Sequence, residues 1–360
     1  MSAGFDWGVV AHWVWRSRSP VAALTRGALL PAAGAYRLGV WARNAAYDAG
    51  MLRASRLPRP SVGVGNLAVG GVGKTPIASF LAGELVRRGL RPGILLRGYG
   101  ADETREHEAA MPDAVVVADA DRHAAAVRAA AAGAEVLVLD DCLQRRDVLP
   151  DVLLAVVSAE SSGDRRWPLP AGPWREGLGA LRRADAVVVS HKTASAAEAS
   201  ALAGRLSART PSARPVTIAL ELAGLRPLTG GPADPPGWLA GRGILAVCGI
   251  AEPELFEAQL AGAGARVRLM AFGDHHAYDV TDVRRIVREA GGSLAIVTTA
   301  KDAVKLGRLW PDGGPACWIA VLAARVTSGG DALAALLDRV ASATRTTLSP
   351  QAAAPPPGDV

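Results

Sequence analysis

The string Ala68-Val69-Gly70-Gly71-Val72-Gly73-Lys74-Thr75 constrains this chain more than any other feature. It fits the phosphate-loop pattern with Ala in place of the first glycine, and it lies between an apolar run and a helix-like stretch, where that motif belongs. Glycines let successive backbone N–H groups turn onto phosphate oxygens, and a helix start adds the positive end of its dipole. All eight residues, Ala68, Val69, Gly70, Gly71, Val72, Gly73, Lys74 and Thr75, are therefore expected to hold a nucleotide. Lys74 should reach the β- and γ-phosphates, and the Thr75 hydroxyl should ligate Mg²⁺.

The flanking pattern supports an α/β fold. Short apolar runs at Ser61–Gly65, Gly93–Leu96, Ala114–Ala118, Val136–Leu139, Val152–Val157 and Ala186–Ser190 suit strands buried on both faces of a parallel sheet. Between the first two, Thr75–Arg88 reads as a helix, with Ile77, Leu81 and Leu85 on one face, Pro76 in the first turn and Gly89 as the left-handed cap. The alternation predicts a phosphate-loop-type, doubly wound, mostly parallel sheet over 58–224. A Gly/Pro-rich stretch, 225–243, reads as a linker. Runs at Ile244–Cys248, Val267–Phe272, Leu294–Thr298 and Ile319–Leu322 then predict a smaller second α/β domain over 244–341, and 342–360 reads as a disordered tail.

A second acidic element accompanies the loop. Val136-Leu137-Val138-Leu139-Asp140-Asp141 is an apolar run ending in two carboxylates, as expected of a group that holds Mg²⁺ or its waters. Standing alone, such a pair is more often a helix cap or a loop. With the phosphate loop, Thr75, Asp140 and Asp141 form the candidate metal set, and hydrolysis or transfer of a nucleoside triphosphate is the chemistry indicated. The acceptor is not.

Charge singles out the first 57 residues as a separate segment. The net charge is +6, and residues 1–60 hold eight arginines against Asp6 and Asp48, so the remainder is balanced. No uncharged apolar run is long enough to span a bilayer, since Arg26 interrupts the best stretch, Val21–Tyr36. A helical segment carrying Trp7, Trp13, Trp15 and Trp41 among arginines suits the headgroup plane of an anionic membrane; the alternative is a helical pair capping the next domain. A nucleic-acid partner is not expected, because no binding module surrounds the basic residues. Cys142, Cys248 and Cys317 are odd in number and far apart, which excludes a disulfide framework and a four-cysteine zinc site.

The segment Gly65–Pro76, followed at helix length by Arg97-Gly98-Tyr99-Gly100, resembles the tetraacyldisaccharide 4′-kinase family. Asp140–Gln144, Leu169–Glu176, Gly249–Pro253, Phe272–His276 and Thr298–Lys305 follow in the family's order, so the resemblance runs from about residue 20 to about 325. It implies transfer of the ATP γ-phosphoryl to the 4′-hydroxyl of a tetraacylated glucosamine disaccharide 1-phosphate, giving lipid IVA, with Mg²⁺ at the cytoplasmic face of the bacterial inner membrane. It also implies a dyad of Asp102 (Glu103 in reserve) and His275 that activates the hydroxyl, and contacts with substrate from Arg122, Arg175 and Glu176. Each of these three has an ordinary structural reading too, the last two as an ion pair. Cys142, Arg145 and Ala300 replace the family's usual Gly, His and Glu, and the loop before Asp102 is shortened.

The rival reading is a membrane-associated phosphate-loop ATPase of the partitioning or assembly-factor type. Those proteins carry a Lys just before the Gly-Gly of the loop, where this chain has Val69.

Overall fold

Every residue of the run preceding the phosphate loop is buried, which is the signature of a strand inside a sheet covered on both faces. In the computed structural model, which describes residues 7–98, 101–161, 163 and 166–348, two helices come first, α1 (Trp7–Arg16) and α2 (Pro20–Asp48). The alternating region follows: β1 (Ser61–Asn66), α3 (Lys74–Arg87), β2 (Pro92–Leu96), α4 (Ala101–Ala110), β3 (Val115–Ala118), α5 (Arg122–Ala131) and β4 (Val136–Leu139). Next are β5 (Val152–Ser158), β6 (Ala186–His191), α6 (Ala196–Ser207) and β7 (Arg214–Pro227). The last part holds β8 (Gly243–Cys248), α7 (Pro253–Gly262), β9 (Arg266–Ala271), α8 (Val280–Ala290), β10 (Ala295–Thr299), α9 (Ala300–Leu306), β11 (Cys317–Ser328) and α10 (Gly330–Leu348).

The strands form one eleven-stranded sheet in the order β3-β2-β4-β1-β5-β6-β7-β11-β10-β8-β9. All pairings are parallel except β7 with β11. That antiparallel ladder joins the two α/β units through shared backbone hydrogen bonds. The stretch expected to be a linker is correspondingly structured: β7 continues to Pro227, Leu225 is buried and bridges Asp234, and a 3₁₀ turn at Pro236–Leu239 buries Leu239.

Helices cover both faces, as a doubly wound sheet requires. Ile77, Leu81 and Leu85 of α3 share a buried cluster with Leu333, Leu336, Leu337 and Val340 of α10 on one face. Ala125, Ala126 and Ala129 of α5 pack on the other face near β2 and β4, and Leu202 and Leu206 of α6 pack there near β6. The C-terminal helix thus returns to the first unit, where Arg339 pairs with Asp185 at 2.7 Å. The expected tail from 342 is corrected here: α10 runs to Leu348, because Val340, Ala341 and Thr344 complete its buried face. Residues 349–360 lie outside the described residues, as do Tyr99 and Gly100.

Helix α2 has two unlike sides. At 100° per residue, buried Ala22 and Ala33 share one side, while Val21, Leu24, Leu38 and Trp41 lie exposed on the opposite half. Its C-terminal end is anchored: Arg146 bonds the Asn44 carbonyl at 2.9 Å and the Asp48 carboxylate at 2.7 Å. No helix among the described residues is long and apolar enough to cross a membrane.

Candidate active site

The loop between β1 and α3 is built by two positive-φ glycines. Gly70 (φ 137°) and Gly73 (φ 84°) adopt backbone that other residues resist, and a Cβ on Gly73 would lie 2.1 Å from Leu220 Cδ1. Neighbouring carbonyls are held from outside the turn: Val72 O accepts from Ser190 Oγ at 2.8 Å, and Ala68 O from Asn66 Nδ2 at 2.5 Å.

Lys74 opens α3 and points at the acidic end of β4. Its Nζ lies 3.1 Å from Asn66 Oδ1 and 3.5 Å from Asp141 Oδ1. Arg175 reaches the same two residues, donating to Asp141 at 2.9 and 3.1 Å and to Asn66 Oδ1 at 2.7 Å. Burial alone would raise the Asp141 pKa, but the charges of Lys74 and Arg175 prevail and hold it at about 2. Asp141 itself sits at φ 54°, a left-handed conformation that Asp tolerates better than most residues. Two cations around one carboxylate make a ready-made anion site: a triphosphate would compete with Asp141 for both.

Asp140 is buried beside it. Thr75 Oγ1 donates to Asp140 Oδ2 at 3.4 Å, and the other carboxylate oxygen, Oδ1, is buried without a hydrogen-bond partner. A hard cation that keeps waters and phosphate oxygens needs only one or two protein oxygens. The hydroxyl of Thr75 and the unpartnered oxygen of Asp140 meet that need, so the donor set fits Mg²⁺. His107, fully buried on α4, completes this corner, its ring lying 3.0 Å from Ser79 Oγ and 3.4 Å from Asp140 Oδ2.

Asp102 and His275 come from different units. Asp102 is in the first turn of α4, and its Oδ2 lies 2.9 Å from Lys305 Nζ on α9. Lys305 also donates to the His276 carbonyl at 3.0 Å. His275 has φ 60° and a half-exposed ring, 4.0 Å from Asp274, which in turn binds Lys301 at 2.8 Å. Burial first and the Lys301 charge second lower the His275 pKa, and Asp102 is near enough for its charge to oppose them. The ring is thereby kept neutral near pH 7, able to take a proton. Asp102 pairs with Lys305, which also reaches the carbonyl of the residue after His275. Glu103, one residue on, has its pKa raised first by burial and then by the Asp140 charge.

Of the three expected substrate contacts, only Arg175 presents its charge to the phosphate loop. Arg122 is fully buried and donates to the Asp140 carbonyl at 2.7 Å, bracing the acidic turn from behind. Glu176 is buried in a two-pronged pair with Arg183 (2.9 Å each) and accepts from Asn44 of α2 at 2.8 Å. It ties the N-terminal helix to the core. Two of the departures are absorbed locally: Cys142 Sγ fills the space a Cβ on Gly63 would need, and Arg145 pairs with Asp147 at 2.8 and 3.0 Å.

A cavity of about 900 Å³ adjoins this site. It lies between α1, the phosphate loop and the loops at 250–254 and 271–274, with Trp13, Trp15 and Trp174 in its wall.

The family described as tetraacyldisaccharide-1-P 4′-kinase (LpxK) matches residues 25–342. The chain belongs to this family. A tetraacyldisaccharide 4′-kinase of Anaeromyxobacter dehalogenans (strain 2CP-C) is 37% identical over 363 residues, covering 92% of this chain and 94% of its own. That of Aromatoleum aromaticum is 37% identical over 319 residues, covering 81% and 87%. Among solved structures, the "apo" form LpxK from Aquifex aeolicus in complex with ATP is similar with a TM-score of 0.66 and 26% identity, over 88% of this chain and 99% of that one. The matches go with the 4′-kinase reading and leave the partitioning-type ATPase unsupported. Three residues that the structure brings to these clusters escape sequence reasoning: Asn66, His107 and Lys305.

Proposed function

We propose that this cleft transfers the γ-phosphoryl group of ATP to the 4′-hydroxyl of a tetraacylated glucosamine disaccharide 1-phosphate, a step of lipid A biosynthesis. The observation that carries the residue roles is the convergence of Lys74, Arg175, Thr75, Asp140 and Asp141 at the mouth of the phosphate loop. The amides of Ala68–Thr75 bind the triphosphate, and Lys74 and Arg175 turn from Asp141 to its phosphate oxygens. Thr75 and Asp140, with Asp141 beside them, would hold Mg²⁺, which would supply positive charge to offset that of the phosphates.

His275, neutral near pH 7, accepts the proton of the 4′-hydroxyl as the new O–P bond forms and the bond from Pγ to the bridging oxygen breaks. ADP leaves with that electron pair. Asp102, held in place by Lys305, orients His275. Most of the rate comes from positioning and charge, because phosphoryl transfer asks little covalent chemistry of the protein.

The acceptor is an anionic lipid. The exposed apolar half of α2, flanked by arginines, supports seating at an anionic membrane surface, here the cytoplasmic face of the inner membrane. Flotation with anionic liposomes tests this part: Leu24→Ser with Trp41→Ser should leave the chain at the bottom of the gradient.

The decisive experiment is transfer of ³²P from γ-labelled ATP to the disaccharide 1-phosphate in mixed micelles. Product at the 4′ position is expected. ATP hydrolysis without lipid labelling would overturn the proposal.

A further inference from the structure

At the end of β6, two side chains grip two successive carbonyls of the phosphate loop. Ser190 Oγ donates to Val72 O at 2.8 Å, and Lys192 Nζ donates to Gly71 O at 2.5 Å. A trans peptide is planar, with its C=O and N–H on opposite sides. Fixing the Gly71 carbonyl therefore fixes the Val72 N–H, and fixing the Val72 carbonyl fixes the Gly73 N–H. At present the Val72 N–H closes on Gly70 O at 3.0 Å, an acceptor that a phosphate oxygen would replace.

Lys192 is itself held from two directions. Glu160 Oε1 accepts the backbone N–H groups of Lys192, Thr193 and Ala194 at 2.6, 3.0 and 3.2 Å, and Glu160 is braced by Ser158 at 2.6 Å. On the far side of the ammonium, Glu252 Oε2 lies 3.8 Å away. Glu252 is buried just before α7 in the second unit, and it also pairs with Arg16 of α1. The charge at the crest of the loop thus comes from a distant segment, since Val69 before the glycines has none.

We propose that Lys192 is a positioning residue for the ATP-binding turn, orienting the loop amides through the Gly71 carbonyl with Ser190 as its neighbour on Val72, and held in place by Glu252. This rests on the nucleotide reading of the loop given above. A residue that only stabilised the fold would change melting temperature and the apparent affinity for both substrates. One that orients the phosphate amides changes ATP binding and spares the acceptor.

The test is titration of the full chain with a fluorescent ATP analogue, together with KM for ATP and for the lipid acceptor. For Lys192→Met, the analogue Kd and the ATP KM should rise about tenfold, as expected for a lost hydrogen bond to a charged group. The acceptor KM and the melting temperature should stay unchanged. Lys192→Arg, which keeps a charged donor, should recover most of the loss, and Ser190→Ala should raise the ATP KM about threefold. An ATP KM for Lys192→Met within about twofold of wild type, or a loss confined to kcat, would overturn the inference. If that variant does not fold, Ser190→Ala decides, and an unchanged ATP KM there sinks it equally. A wild-type chain that itself binds no analogue overturns the nucleotide reading as well, whereas equal binding by wild type and Lys192→Met overturns this inference alone.

Discussion

The donor and acceptor halves of the cleft are built differently. On the donor side, Asn66, Lys74, Thr75, Asp140, Asp141 and Arg175 all stand on or beside two neighbouring strands, β1 and β4, and already bond one another. Preorganised charge of this kind costs little reorganisation when the phosphates arrive. On the acceptor side, Asp102 and His275 belong to different units and each is engaged with other groups, Asp102 with Lys305 and His275 near Asp274 and Lys301. The donor half is preorganised because its residues cluster past the ends of adjacent strands and bond one another. The acceptor half depends on how the second unit meets α4.

Lys74→Ala should give the largest effect on transfer, a loss of at least about a thousandfold, with nucleotide binding lost alongside. The ³²P assay and analogue titration measure both; full nucleotide affinity in that variant would break the contrast. Asp102→Ala and His275→Ala should each lower kcat about a hundredfold while ATP affinity stays near wild type. Were either to lose ATP affinity instead, the two halves would not be separable.

Lys305→Met should reduce turnover about fivefold, the worth of a partly exposed ion pair. It should also move the pH profile in a fixed direction. The His275 pKa is lowered, partly by Lys305, so wild-type kcat/KM should fall on the acid side below the ordinary imidazole value of 6.5. Protonation removes the base, and taking away a cation raises the imidazole pKa. The acid limb of the variant should therefore shift to higher pH; a shift downward would contradict the electrostatic placement of Lys305.

Glu176→Ala should have the smallest effect on turnover and a clear effect on stability. It strips the partner from Arg183 and a bond from Asn44, which for a buried pair costs about 3 kcal/mol. Chemical denaturation should show that loss with ATP affinity intact. Lost ATP affinity in a stable variant would instead restore a direct substrate contact for Glu176.

Asn66 apart, the donor half was legible because its groups sit in short motifs. Glycines between an apolar run and an amphipathic stretch, with two carboxylates ending a second run, fix strand, turn and helix within a few residues of each candidate group. The expected strands from Ser61 to Ser190 differ from the observed ones only at their ends. The roles of Arg122 and Glu176 were not legible. A lone basic or acidic residue carries no mark of whether its charge faces substrate or the rest of the protein, and here the Asp140 carbonyl and the Arg183 guanidinium are the partners.

The sequence by itself determined the phosphate-binding turn, the acidic strand end and the basic, tryptophan-rich start, because each follows from nearby residues and short-range chemistry. Only the tertiary structure decided that β7 and β11 join the two units in one sheet, that α10 folds back on the first, and that Asp102 meets Lys305. Those outcomes depend on pairings between segments far apart in the chain, where burial and hydrogen-bond satisfaction across the whole sheet outweigh any local preference.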